Sequence, residues 1–290
     1  MFGQNMNKNE YEVLAQEVNL ALVDGLDPGK GKLEEAIHYS LSVKGKRLRP
    51  VLFLTLLKAY GIEPSDYMDI ACAIEYIHTY SLIHDDHPSM DNDDIRRGMP
   101  TVHKKYNDAI ALLAGDTLLT MAFERIADAP LEPKKVVDIL KIVTSGIGLD
   151  GMAGGQALDL EFSGDKELIL SIHRMKTAEL IKASLVSAAV VAGLPAGEIE
   201  SWGEAAISIG IAFQMADDLL DMYGDEQEVG KKLQKDGNNQ SPNSVIFFGK
   251  EYIEEEVKRL YNRTMEILER LGVTYPPLLG LMKRMVFRTK

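Results

Sequence analysis

Five aspartates crowd into ten residues of the segment Ser81–Gly98: Asp85, Asp86, Asp91, Asp93 and Asp94. Ionised carboxylates this close repel one another and cost stability unless cations neutralise them. Carboxylate-only clusters suit hard cations, Mg²⁺ above all where phosphate oxygens complete its octahedron. A second group reads Phe213-Gln214-Met215-Ala216-Asp217-Asp218-Leu219-Leu220-Asp221. Gln214, Asp217 and Asp221 fall at i, i+3 and i+7, on one stripe of a helix. Their neighbours are apolar, so the stripe faces an interior cavity and its carboxylates require metal or cationic partners. Other metal chemistries fit worse. A calcium loop starting at Asp91 would need glycine where Arg96 stands and a bidentate acid at Val102. Zinc at His84 and His87 lacks a third ligand.

Cations follow the same logic. Arg96 and Arg97 come directly after the first cluster, and Gly45-Lys46-Arg47-Leu48-Arg49-Pro50 opens a helix, where backbone amides add to anion binding. The arginine fork matches phosphate oxygens in pairs. His78 lies two helical turns before Asp85, on the same face. Between the clusters stand Gly154-Gly155-Gln156-Ala157-Leu158-Asp159 and His173-Arg174-Met175-Lys176-Thr177-Ala178, and Gly230-Lys231-Lys232 follows the second. No Ser/His or Cys/His pair suggests a protein nucleophile.

The elements that must position these residues are helical. Tyr11, Leu14, Val18 and Leu22 repeat at helical spacing, as do Leu33, Ile37 and Leu41, and Ile70, Ile74 and Ile77. No segment alternates in the manner of a strand. Gly and Pro punctuation leaves about ten helices. Pro88 breaks the helix carrying the first cluster, which places Asp85 and Asp86 at its end and folds Asp91 back by a turn. Two polar loops, 91–107 and 225–243, each follow an aspartate cluster, as loops closing over a charged ligand would. No linker marks a boundary, so residues 1–290 read as one domain. The net charge of −12 argues against nucleic acid. One cysteine, Cys72, fits a reducing cytoplasm. The apolar run Ala183–Leu194 is too short to span a membrane and reads as a buried core helix.

Taken in order, these motifs resemble the trans-prenyltransferases of the polyprenyl synthetase family, the bacterial farnesyl-making members in particular. The likeness runs from about residue 30 to the C-terminus. It rests on Gly-Lys-Arg-Leu-Arg-Pro at 45–50, Asp-Asp-x4-Asp at 85–91 with Arg96-Arg97-Gly98, Gly-Gly-Gln at 154–156, Lys176-Thr177, and Phe-Gln-x-x-Asp-Asp-x-x-Asp at 213–221. The resemblance implies an all-α, isoprenoid-synthase-type bundle around a central cavity, homodimeric as a rule. It also implies that Asp85, Asp86, Asp91, Asp217, Asp218 and Asp221 hold about three Mg²⁺ ions on an allylic diphosphate. Arg96, Lys176 and Lys231 would assist them, while Lys46, Arg49, His78 and Arg97 would hold isopentenyl diphosphate. Thr177 and Gln214 would stabilise an allylic cation. The substrates implied are isopentenyl, dimethylallyl and geranyl diphosphate. The alternatives are a geranylgeranyl-making enzyme and a non-catalytic subunit of a heteromeric prenyltransferase.

Two positions depart from the pattern. His87 stands where the family is usually apolar, and 240–244 reads Gln-Ser-Pro-Asn-Ser where a lysine before Ser/Thr-Thr-Tyr is usual; Lys235 could substitute for that lysine. For product length, a growing chain would extend from Asp85 toward the N-terminus of its helix. Ser81 lies one turn beneath Asp85, and Tyr80 sits beside it, rotated by about 100°. Tyr80 there can form a floor that stops growth at C15.

Overall fold

The computed structural model describes residues 2–224 and 242–287, with side chains from Glu10 onward. Apart from one tiny hairpin, every regular element among them is a helix or helical turn. None of these helices is long and apolar enough to cross a membrane. The chain divides into two compact units, residues 8–140 and residues 1–7 with 141–290.

The first unit holds α1 (Phe2–Leu22) from residue 8 onward, α2 (Lys32–Ser42), α3 (Leu48–Ala59), α4 (Met68–Asp85), the short α5 (Val102–Lys105), α6 (Asp108–Ala127) and the start of α7 (Pro133–Ile147). The residues Val51 to Leu57 of α3 and Ile70 to Ile77 of α4 are apolar nearly all round, and both runs are buried. A helix without a polar face belongs in the middle of a core. α4 packs chiefly along α6.

Arg47 ties this unit together. It sits at the N-cap of α3 in the left-handed region (φ 47°) and is only 2% exposed. Its Nε donates to Asn19 Oδ1 of α1 at 2.7 Å and its Nη1 to Glu75 Oε1 of α4 at 2.6 Å. Its Nη2 donates to the carbonyls of Leu41 and Val43, at 2.7 and 2.9 Å. A buried guanidinium is tolerable only when its donors are filled in this way.

The hairpin corrects the expectation that the chain has no strand. β1 (Ile95–Arg96) pairs antiparallel with β2 (Met99–Pro100), in the register Ile95 to Pro100 and Arg96 to Met99. Arg97 and Gly98 form its two-residue turn, with φ 53° and 77°. Two positive φ values define the type I′ turn that suits the twist of a hairpin.

The second unit contains α8 (Met152–Leu160), α9 (Lys166–Ile172), α10 (Glu179–Val191), α11 (Ala196–Tyr223), α12 (Ser244–Phe248), α13 (Lys250–Arg270) and α14 (Pro276–Val286). α11 is its axis, packed on α10, α13 and α14 around the fully buried Trp202. The expected core helix from Ala183 is the buried α10. Between α9 and α10 the rod widens into a π-helical segment, His173–Ala178. Such widening re-aims side chains and recurs at functional sites. Two glycines admit it: a Cβ on Gly155 would lie 2.3 Å from the Lys176 amide nitrogen, and one on Gly210 would lie 2.6 Å from the Ala178 Cβ.

Glu75→Ala would strand the Arg47 charge in the core. We expect a loss of about 3–5 kcal/mol, read from the urea midpoint. An unmoved midpoint would show that Arg47 is held by its other three bonds alone.

Candidate active site

In the first unit the first aspartate motif is built by the end of α4. Asp85 is its last residue and Asp86 its C-cap. The chain then turns at Pro88, and the Asp91 amide donates to the Asp85 carbonyl at 2.9 Å. Asp91 is thereby folded back onto the helix end, as Pro88 requires.

Asp86 differs from its neighbours. It is 4% exposed and receives the Arg96 fork, with Nε at 2.6 and 2.8 Å from its two oxygens and Nη2 at 2.6 Å. Burial pushes the Asp86 carboxyl above its usual value, and Arg96 offsets part of that rise. Burial alone would lower Arg96, but the contact with Asp86 more than compensates and Arg96 remains charged. The oxygens of Asp86 are thus engaged by protein donors.

Arg97 leaves the turn in the other direction. Its guanidinium lies against Gly45, where a Cβ would come within 2.4 Å of Nη1. The two basic motifs therefore meet. His78 keeps an accessible edge, yet its burial, with Arg49, Arg97 and Arg96 around it, holds it well below the ordinary histidine range. It is neutral at pH 7. Lys46 is exposed, and its carbonyl accepts from the Tyr11 hydroxyl. Tyr80 is half-buried, and burial followed by the charge of Asp85 pushes its phenol up to about 12, so it stays un-ionised. Ser81 donates to the His78 carbonyl at 3.0 Å. His87 meets Ser89 Oγ through Nδ1 at 2.8 Å.

In the second unit a chain of polar side chains runs from the π-helical segment to the second motif. Thr177 Oγ1 donates to Gln214 Oε1 at 2.9 Å, and Gln214 Nε2 donates to Asp218 Oδ1 at 3.1 Å. The other Asp218 oxygen accepts from the Ser244 amide at 2.8 Å and its hydroxyl at 2.6 Å, with His173 Nε2 at 3.2 Å. A carboxylate only accepts, so it fixes the amide of Gln214, which in turn fixes the Thr177 proton. The lone pairs of Thr177 are left pointing away from Gln214. Asp218 is 5% exposed, while Gln214, Asp217 and Asp221 remain half-buried on their stripe. Lys176 pairs with Asp159 of α8. Gln156, on that same helix, is buried.

The sequence placed Asp159, His173 and Ser244 inside longer segments but gave none of them a role. Asp159 and Lys176 stand 17 residues apart, and Ser244 lies 26 residues from Asp218, so no local pattern links either pair. Ser244 and Asn243 belong to the divergent 240–244 segment, and Asn243 caps α12 through the Val245 amide at 3.0 Å. Lys231, Lys235 and Ser241 lie outside the described residues. Among the described residues no three His, Cys, Asp or Glu side chains converge as a ready metal site. A cation held here would complete its shell with oxygens from a ligand and water.

A paired-aspartate motif in the last turns of a helix in each unit, one pair gripped by Arg96 and the other by Ser244 and His173, fits an all-helical prenyltransferase class. The chain belongs to the polyprenyl synthetase family, whose model matches residues 30–271. It is 45% identical over 226 residues to a farnesyl diphosphate synthase of Geobacillus stearothermophilus, covering 76% of this chain and 75% of that one. A farnesyl diphosphate synthase of Micrococcus luteus is 38% identical, over 94% of this chain and 95% of its own. The structure of a geranyltransferase from Helicobacter pylori, complexed with magnesium and isoprenyl diphosphate, superposes with a TM-score of 0.82 at 34% identity, covering 98% and 96% of the two chains. Geranylgeranyl pyrophosphate synthases of Arabidopsis thaliana and Capsicum annuum are also relatives.

Ser244→Ala removes one hydroxyl bond from the Asp218 carboxylate. The expected cost is about 1.5–3 kcal/mol, seen as a lower unfolding midpoint. A midpoint within error of wild type would mean that the amide and His173 suffice.

Proposed function

We propose that this prenyltransferase condenses isopentenyl diphosphate with dimethylallyl and then geranyl diphosphate, releasing pyrophosphate and farnesyl diphosphate. The observation that supports it most is the presence of both complete aspartate motifs in a chain so similar to farnesyl diphosphate synthases. We treat residues 1–290 as one catalytic domain, cytoplasmic and homodimeric.

The allylic C–O bond breaks, its electron pair leaving with the diphosphate. The isopentenyl double bond attacks the resulting cation, and a proton then departs to pyrophosphate. Asp85, Asp91, Asp217 and Asp221 are the proposed direct ligands for about three Mg²⁺ ions, an all-oxygen set suited to that metal. Asp86 and Asp218, whose oxygens accept from protein donors, orient the motifs instead. Metal bound there supplies charge neutralisation on the leaving group. Arg96, Lys176 and Lys231 hold the allylic diphosphate. Lys46, Arg49, neutral His78 and Arg97 hold isopentenyl diphosphate. Thr177 turns its lone pairs, and Gln214 its amide oxygen, toward the cation. An apolar surround excludes the water that would capture it.

Tyr80 sets the length. An un-ionised ring one position before Ser81 presents an apolar stop, which favours C15. The geranylgeranyl reading stays as the second one, because such enzymes are among the relatives.

Incubating the purified chain with isopentenyl diphosphate, dimethylallyl diphosphate and Mg²⁺ should yield C15; no condensation product would refute the activity. Asp85→Ala and Asp217→Ala should each lower turnover at least about a hundredfold while the fold persists. Near-normal rates in either would remove the metal assignment. Tyr80→Ala should shift product toward C20, and an unchanged C15 would put the floor elsewhere.

A further inference from the structure

His84 precedes the first metal-binding aspartate, but its ring is turned onto α6. Its Nε2 lies 3.2 Å from the Leu112 carbonyl and 3.8 Å from Asp116 Oδ1. The ring occupies the place where a side chain at position 115 would begin: a Cβ on Gly115 would lie 2.1 Å from Nε2 and 2.5 Å from Cδ2. One turn back on α4, the Tyr80 ring meets that of His84 edge to face, with centroids 5.8 Å apart and planes at 75°. Residues i and i+4 of a helix stack in this manner, and such ring pairs add to ordinary burial.

We propose that His84 is a positioning residue for product length, holding Tyr80 in place as the floor of the growing chain. This deepens the chain-length reading given to Tyr80 and rests on it. The sequence of contacts runs from Gly115 to His84 to Tyr80. The bare backbone of Gly115 admits the imidazole, the Leu112 carbonyl pins its Nε2–H, and the pinned ring blocks rotation of the tyrosine toward α6. A floor made of one tyrosine ring would otherwise turn about two side-chain torsions and let a longer tail pass.

Gly115→Ala tests the proposal from α6, with α4 and its aspartates unaltered in sequence. The added methyl must displace the imidazole, so the C20 to C15 ratio should rise about tenfold, equivalent to ~1.4 kcal/mol in relative barrier. His84→Ala should produce the same shift and decides the matter if Gly115→Ala does not fold. The double variant Tyr80→Ala/Gly115→Ala should give the product pattern of Tyr80→Ala alone. If Tyr80→Ala lengthens the product while Gly115→Ala and His84→Ala keep the wild-type ratio, the proposal fails and the Tyr80 floor stands. If Tyr80→Ala itself leaves C15 unchanged, the floor falls and this proposal with it. Lengthening by Gly115→Ala on top of Tyr80→Ala would show that His84 acts by another route, which also overturns it.

Discussion

A single buried cation organises the first unit. The Arg47 guanidinium reaches α1, α2, the segment after α2, and α4 at once, and it does so from a left-handed residue at the head of α3. A left-handed arginine costs about 1–2 kcal/mol, and desolvating its charge costs more. Four short bonds, one of them to a carboxylate that is itself buried, offset those costs. The consequence is geometric. With Arg47 turned inward, its flanking residues Lys46 and Arg49 are carried toward solvent and toward His78. The cation that nothing outside the core can reach thus decides where the reachable ones stand.

Each aspartate motif repeats a similar division of labour. One carboxylate is buried against protein donors, Arg96 for Asp86 and Ser244, His173 and Gln214 for Asp218. The outer members of each motif stay closer to solvent. Under the proposed metal assignment the outer carboxylates must be held still without being used up, and a neighbouring carboxylate tied into the scaffold does this. In the second unit the tie extends further, because the same carboxylate also orients Gln214 and, through it, Thr177.

Much of this was legible in the sequence. Helical repeats such as Ile70, Ile74 and Ile77 are fully buried, since a 3.6-residue period leaves little choice of face. The fold-back of Asp91 followed from Pro88. The stripe of Gln214, Asp217 and Asp221 followed from helix arithmetic. That arithmetic also separates Asp218 from the stripe by about 100°, which matches its place as the buried member of the motif. What stayed hidden depends on contacts distant along the chain. No local rule pairs Lys176 with Asp159, and none foresees that Ser244 would bond Asp218. The hairpin escaped notice because two-residue strands are too short to alternate, and of its two turn residues only Gly98 is of a type that favours a positive φ. The π-helical segment had no signal in its own residues; it is marked by glycines on α8 and α11.

The contact between Gly45 and Arg97 has a bearing on how such a sequence can change over generations. The guanidinium occupies the volume that any side chain at position 45 would claim, so the two positions form one heritable character. A lineage that replaced the arginine with something short could afterwards accept alanine or serine at 45. The reverse order asks more, because a methyl arriving first would have to push the guanidinium out of its place. Substitution at this pair therefore has an easier direction: the small partner grows without disturbance once the large one has shrunk.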